Sequence, residues 1–353
     1  MWSAAEPPSM APADDDLSIE EKRVYAGSAD RTDAYVATGT GVVRVSLSAD
    51  KVGAFDMVAR EPARDVAVRP GSDTGTLDLA AVATENGLRV AVADDDPEFV
   101  PLDETLEAVE DGGDATTDSP AVAVGVHEDA FLVARADGGI DRVALAERIG
   151  DGSPPSATAI RIGEVPNPRA IDGPLVAAAD GVHRVANADT GPGDPGLVPV
   201  GLDDARDVAG TGVPLAATAD GLYWLGNGWM AAREATASAV AADGDGHAMA
   251  VVAGDLLVRD GTTREAGSGN TPDDKEGSGS TVASGEPTQG WGSDAWATAT
   301  LPVDERPVAL GYGPGISVVV TEAGTLCVDA GDGWRHQVVG VRDVGGVALA
   351  TVE

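Results

Sequence analysis

A short hairpin pattern recurs along this chain: an alternating strand, a turn containing glycine, and a second short strand. Segments such as LDLAAVATENGLRVAV and ISVVVTEAGTLCV show it clearly. Asn, Asp and Gly in the turns tolerate the positive φ values that tight hairpins require. Seven copies occupy residues 33–47, 77–92, 129–145, 174–186, 213–225, 247–258 and 316–328. A sevenfold β unit predicts a repeat architecture built from hairpins.

A pentapeptide related to ARDVA precedes hairpins two to seven. Its copies are residues 63–67, 119–123, 168–172, 205–209, 237–241 and 305–309. A seventh copy, residues 341–345, lies near the C-terminus with no hairpin after it. One hairpin without a leading strand and one leading strand without a hairpin indicate a ring closed by the two chain termini. A weaker candidate at residues 22–26 leaves open which terminal segment completes the first unit.

The repeat length identifies the fold class. Seven units in 353 residues give about 50 residues each, close to a four-stranded propeller blade. We therefore predict an all-β fold, a β-propeller of seven four-stranded blades. A pair of β-sandwiches also contains short alternating strands, but it does not account for the pentapeptide.

Composition divides the chain into a propeller and two polar segments. We predict an acidic, disordered segment at residues 1–20 and a single propeller domain at residues 21–353. A run rich in Gly, Ser, Asp and Pro predicts a disordered insertion at about residues 264–295 in blade six. The alternatives for this insertion are a tolerated surface loop and a partner-binding tether that uses Trp291.

Charge excludes one class of function and indicates an environment. The chain has 59 acidic and 23 basic residues, a formal charge of -36, and only three lysines. This balance argues against nucleic-acid binding, which needs Lys and Arg to neutralise phosphates. Molar salt shortens the Debye length to about 3 Å and screens such self-repulsion. The Asp-rich, Lys-poor composition resembles that of haloarchaeal proteins, whose cytoplasm is concentrated in salt.

No targeting or membrane segment is recognisable. Residues 1–20 lack the basic start and the apolar stretch of a signal peptide. Apolar runs such as residues 121–126 are far shorter than the roughly 20 residues that span a bilayer. We therefore expect a cytoplasmic protein with no membrane partner.

From the absence of recognisable catalytic motifs we predict no cofactor, no metal and no catalytic residue. No lysine follows a glycine-rich turn as in a phosphate-binding loop, and no G-x-S-x-G element exists. Cys327 lies in an apolar strand, where a buried thiol is expected. The turn at residues 243–246 lacks the ligand series of a calcium loop. The four histidines show no metal-ligand spacing, although side chains from distant blades can still form a metal site at a channel mouth. They are His127, His183, His247 and His336.

Five of the twenty arginines occupy the second position of the pentapeptide. They are Arg64, Arg169, Arg206, Arg306 and Arg342. If that position begins the innermost strand, these guanidinium groups surround one end of the channel and bind an anion. The alternative is structural: each Arg pairs with an Asp across blades. Arg169 and Arg306 have no aspartate immediately after them and are expected to lack such a partner.

The ARDVA-type strand and the AVATENGLRV-type hairpin resemble those of a family of haloarchaeal β-propeller proteins. The chain is also loosely similar to WD-repeat-like propellers, although it lacks their Gly-His and Trp-Asp signatures. The resemblance implies a fold and no activity, because propellers host binding scaffolds and enzymes alike. We expect a non-enzymatic interaction platform for an acidic protein segment or a small anion. The alternative is a hydrolase or lactonase with a divalent metal at the channel mouth.

Overall fold

The computed structural model describes residues 31–48, 51–71, 77–106, 119–145, 156–186, 196–261 and 290–352. The predicted disordered N-terminal segment, the pentapeptide-like residues 22–26 and most of the predicted insertion lie outside the described residues.

The described residues form 29 strands arranged in seven sheets, the blades of a seven-bladed propeller. Blade 1 contains β1 Arg31–Thr38, β2 Gly41–Ser48 and β3 Lys51–Ala59, completed by β29 Val344–Val352. Blade 2 contains β4 Ala63–Arg69, β5 Leu79–Thr84, β6 Gly87–Val92 and β7 Val100–Pro101. Blade 3 contains β9 Ala121–His127, β10 Ala130–Arg135, β11 Gly139–Leu145 and β12 Ser156–Glu164, with β8 Asp103–Leu106 added outside β12.

The other four blades repeat the same antiparallel order. Blade 4 contains β13 Ala170–Asp172, β14 Leu175–Ala178, β15 Gly181–Ala186 and β16 Gly196–Gly201. Blade 5 contains β17 Ala205–Ala209, β18 Leu215–Thr218, β19 Leu222–Leu225 and β20 Trp229–Arg233. Blade 6 contains β21 Ala237–Ala242, β22 Ala248–Val252, β23 Asp255–Arg259 and β24 Ala297–Thr298. Blade 7 contains β25 Pro307–Gly313, β26 Ile316–Thr321, β27 Thr325–Asp329 and β28 Arg335–Val338. The predicted all-β propeller is confirmed.

The two ends of the chain close the ring in blade 1. The C-terminal strand β29 pairs antiparallel with β1 from Arg31↔Val352 to Thr38↔Val344. The C-terminal segment therefore supplies the missing inner strand. The predicted leading strand at residues 341–345 is displaced, because pairing begins only at Val344.

Blade 3 departs from the predicted four strands. Strand β8 runs parallel to β12, with Asp103 opposite Ser156, and makes this sheet five-stranded. Its sequence, DETL, has no apolar alternation, so nothing local marks it as a strand.

The hydrophobic core lies between neighbouring blades. In the described residues it consists of seven clusters, and each cluster joins one adjacent pair of blades around the ring. Alanine and valine dominate because the inner strands crowd together near the axis. At Gly125 in β9, a Cβ atom would stand 2.6 Å from the carbonyl oxygen of Ile171 in β13. Only glycine permits blades 3 and 4 to approach so closely at this point.

Two single residues bear on the sequence predictions. Cys327 in β27 is fully buried, as predicted, and burial raises the pKa of its thiol to about 11. Trp291 is only 6% exposed and packs edge-to-face on Trp296, with ring centroids 6.4 Å apart. It belongs to the core between blades 5 and 6, so its indole is not available to a partner.

Candidate functional site

The inner strands of all seven blades surround an axial cavity of about 420 Å³. Because the blades share one strand order, their inner strands begin at the same end of the channel. We call this end the start mouth and the opposite end the end mouth. The cavity is lined by residues 64–68, 124–126, 169–172, 206–209, 211, 238–242, 308–312 and 345–349.

Three of the five predicted arginines lie at equivalent positions of this cavity. Each arginine comes directly before a residue that pairs with the equivalent alanine of its blade's second strand. These pairs are Asp65 with Ala83, Ala170 with Ala177, and Asp207 with Ala217. The structure therefore brings Arg64, Arg169 and Arg206 together at the start mouth.

Arg306 and Arg342 do not line the cavity. In blade 7 the strand register places Val308 at the equivalent position, and in blade 1 it places Gly345 there. The predicted equivalence of all five arginines is therefore wrong. The offset from the predicted position is two residues for Arg306 and three residues for Arg342, so a similar pentapeptide does not define the register.

Arg169 has a partner that its sequence neighbours do not reveal. Its Nη1 lies 2.5 Å from Oδ1 of Asp204 and also donates to the carbonyl oxygen of Ala205 at 2.9 Å. Both acceptors belong to the segment that enters blade 5. The expectation that Arg169 is left without an aspartate partner is therefore wrong.

Arg64 and Arg206 do not form the ion pairs that their neighbouring aspartates suggest. Asp65 and Asp207, their immediate neighbours, do not pair with them. Within the described residues neither arginine forms an ion pair. Arg64 is exposed and Arg206 is half-buried. The start mouth therefore presents two guanidinium groups whose charge no described carboxylate neutralises.

Asp65 and Asp207 instead connect inner strands of adjacent blades. Oδ1 of Asp65 accepts a hydrogen bond from the Val66 N–H, and Oδ2 accepts one from the Val124 N–H of blade 3, both at 2.9 Å. Asp207 repeats the geometry with Val208 at 2.9 Å and with Val240 of blade 6 at 2.8 Å. An inner strand has one unpaired edge, and these carboxylates satisfy backbone donors that the edge would leave unpaired.

A third carboxyl group, that of Asp172, lies on the cavity wall near the end mouth. Its Oδ2 accepts a hydrogen bond from the Gly210 N–H of blade 5 at 2.6 Å. Desolvation raises the pKa values of all three carboxyls, to about 7 for Asp65 and for Asp207. Repulsion adds to this rise, since Asp207 and Asp172 act on Asp65, and Asp172 acts on Asp207. The cavity therefore contains carboxyl groups that exchange protons near neutral pH.

These pKa values make the free energy of unfolding depend on pH. An Asp with a pKa near 4 in the unfolded chain and near 7 in the folded one binds protons more tightly when folded. Its contribution is therefore largest at low pH and is lost as the pH rises through about 7. We expect the free energy of unfolding to increase as pH falls from 8 towards 5, measured by urea denaturation at constant salt.

The double variant Asp65→Asn with Asp207→Asn tests this origin of the pH dependence. It should be less stable overall, because each amide loses one acceptor facing a backbone N–H, and its stability should vary much less between pH 8 and pH 5. A variant that keeps the wild-type slope would show that other groups titrate.

Two of the four histidines form pairs with aspartates. In the part of the chain that the structure describes, no three His, Cys, Asp or Glu side chains converge as metal ligands. His183 Nε2 lies 2.9 Å from Asp180 Oδ1, and His247 Nδ1 lies 2.5 Å from Asp243 Oδ2. Sequence reasoning missed the bridging role of Asp65 and Asp207, although the repeated Arg-Asp-Val at 64–66 and 206–208 was its signal.

Comparison with known proteins identifies the family. The family model described as Beta-prop_HVO_0234:-like, beta propeller, matches residues 18–350. The chain belongs to this family. The family resemblance seen in the sequence is thereby confirmed over nearly the whole length of the Beta-prop_HVO_0234-like chain. No curated protein is similar enough in sequence to be counted as a relative.

Two solved structures are similar to this chain at low sequence identity. A putative 6-phosphogluconolactonase from Bacteroides fragilis is similar with a TM-score of 0.53 and 10% identity, covering 91% of this chain and 98% of that one. The WD40 β-propeller domain of Doa1 gives a TM-score of 0.48 and 12% identity, covering 90% of this chain and 93% of that one. At such identity the similarity to the Bacteroides fragilis protein supports the fold alone. Among the described residues, no helix has the length and apolar character needed to cross a membrane.

Proposed function

We propose that this chain is a non-enzymatic binding propeller whose start mouth receives an acidic segment of a protein partner. The observation that carries the proposal is the pair of guanidinium groups at Arg64 and Arg206 that no described carboxylate neutralises. In a chain with a formal charge of -36, these two guanidinium groups without an ion pair among the described residues line one rim of the channel. The same acidic charge supports a location in a salt-rich cytoplasm.

The setting of these arginines suits an anion better than a small neutral ligand. Arginine presents a planar set of donors that matches a carboxylate in bidentate geometry. Arg169 is already held by Asp204, so it contributes a fixed third donor group at the same rim. Arg206 is half-buried, and a partly desolvated contact is screened less by salt than an exposed one.

A peptide with several carboxylates fits this rim better than a single small anion. The three arginines belong to blades 2, 4 and 5, so they are distributed around the mouth rather than gathered at one point. A segment that carries Asp or Glu side chains can reach several blades at once.

The test compares two double variants with the same change of charge. Arg64→Ala with Arg206→Ala removes the two unneutralised arginines, and Arg306→Ala with Arg342→Ala removes two that lie outside the cavity. A fluorescent oligo-glutamate peptide, with oligo-glutamine as its neutral control, reports binding by anisotropy in the salt that keeps the protein folded. We expect the first variant to weaken glutamate binding by at least roughly tenfold, because each charged hydrogen bond contributes about 1.5–3 kcal/mol.

The control variant should bind like the wild type, with circular dichroism confirming the fold of both. Equal weakening in the two variants would mean that only overall charge matters. No measurable difference between the wild type and the first variant would assign Arg64 and Arg206 a structural role.

A further inference from the structure

A second cavity of about 350 Å³ opens between blades 5 and 6, next to the end mouth. We call it the side pocket. It is lined by residues 211–213, 242, 244–247, 259, 261, 290 and 291. Thr211 and Ala242 line both cavities, so the side pocket adjoins the axial cavity at the end opposite to the start mouth.

Arg259, at the end of β23, is held rigidly in this pocket by neutral groups. Its Nε donates to the carbonyl oxygen of Gly290 at 3.0 Å, and its Nη1 donates to that of Gly246. Its guanidinium carbon lies 3.8 Å from the centre of the Trp291 ring, in cation–π contact. No carboxylate among the described residues forms an ion pair with it, and Nη2 donates to none of them. Arg259 is therefore a preorganised cation with unused donors in a cavity.

His247 supplies a second polar side chain to the side pocket. Its Nδ1 lies 2.5 Å from Oδ2 of Asp243, whose Oδ1 also accepts the His247 and Asp245 N–H groups. Because a carboxylate accepts, Nδ1 carries a proton; when the ring is neutral, its Nε2 is a hydrogen-bond acceptor. A Cβ atom built on Gly261 would stand 3.0 Å from this Nε2, so the free edge of the ring borders the pocket.

Two glycines lie beside both of these side chains and line the pocket with them. A Cβ atom on Gly246 would stand 3.4 Å from Nη1 of Arg259 and 3.4 Å from Cα of Gly261. The donor end of Arg259 and the acceptor edge of His247 therefore border the same pair of glycines. The volume is within the range of about 300–1,000 Å³ typical of small-molecule sites.

We propose that the side pocket binds a small hydroxylated organic anion. The carboxylate or phosphate of the ligand accepts hydrogen bonds from Arg259, and a ligand hydroxyl donates to Nε2 of His247. The charge requirement follows from a cation that forms no ion pair with any carboxylate of the described residues, although Asp243 acts on it from a longer distance, and the hydroxyl requirement follows from the His247 ring edge beside it. This site is separate from the start mouth and does not depend on the function proposed there.

Two matched pairs of probes test both requirements by isothermal titration calorimetry. Glycerate is compared with propionate, and glycerol 3-phosphate is compared with propyl phosphate, at the salt concentration that keeps the protein folded. We expect saturable binding of at least one hydroxylated probe, and its partner without hydroxyl should bind about tenfold more weakly, because the acceptor of His247 is then left unpaired. The pair that binds distinguishes carboxylate from phosphate as the anionic group.

Two glycine substitutions locate the site without changing any charge. Gly261→Ala places a methyl group against the His247 ring and should reduce binding at least tenfold. Gly292→Ala is the matched control, since a Cβ atom there meets nothing within 4 Å, and it should bind like the wild type. The His247 proton signal in NMR spectra should shift on ligand addition in the wild type and in Gly292→Ala only.

Several results would overturn the proposal. These are no saturable binding of either hydroxylated probe, equal affinity for each probe and its partner without hydroxyl, or equal affinity in Gly261→Ala and Gly292→Ala. The double variant Arg64→Ala with Arg206→Ala should keep full probe affinity, which separates the outcome of this test from that of the start-mouth proposal.

Discussion

A chain that ends at residue 340 should aggregate or lose most of its stability. The deletion removes β29, which forms the inner strand of blade 1 and pairs with β1 along all of Arg31–Thr38. The edge of β1 would then expose backbone donors and acceptors to solvent and to other molecules. The deletion also removes Val347 from the core cluster between blades 1 and 7. It removes the buried side chain of Val352 as well. Thermal unfolding and light scattering of the truncated and full-length chains measure the effect.

Addition of a synthetic peptide of residues 341–353 provides the control for this truncation. If β29 acts through pairing, the peptide should restore much of the lost stability in trans, whereas a scrambled peptide of equal charge should not. A truncated chain that melts like the full-length protein would contradict ring closure by β29.

Transfer to dilute buffer should have a comparably large effect. The formal charge of -36 repels itself when unscreened and opposes the compact state. The core opposes this repulsion with modest side chains, because only 4% of residues are aromatic and alanine and valine fill most blade interfaces. We expect circular dichroism to show loss of β structure below roughly 0.5 M salt, because the Debye length then grows.

The matched control for salt is a neutral solute. Sucrose is excluded from protein surfaces and favours compact states without screening charge. If repulsion unfolds the chain, potassium chloride should restore the β signal at lower concentration than sucrose does. An unchanged spectrum after dialysis into dilute buffer would show that screening is not needed.

The hairpins could be predicted from the sequence because their alternation and turn residues lie close together in the chain. Alternation and glycine turns predicted the inner three strands of most blades. Counting leading strands against hairpins predicted closure by the chain termini, and β29 confirms it.

Only the tertiary structure decided which residues meet around the channel. The register of the inner strands could not be read from the pentapeptide, because a shift of two residues keeps every side chain on the same face. Arg306 was grouped with Arg64 for this reason, although the equivalent position is Val308, whereas Arg342 lies three residues before its equivalent position, Gly345. Pairs such as Arg169–Asp204 join residues that are distant in sequence, and no local pattern marks them.

The same reason applies to the two candidate sites. Asp65 reaches Val124 across a blade boundary, and Arg259 meets Trp291 only because the chain returns to blade 6 through β24. Hairpins follow from the short-range alternation of the chain. The sites follow from contacts between blades, which exist only after the ring has closed and each inner strand has taken its register.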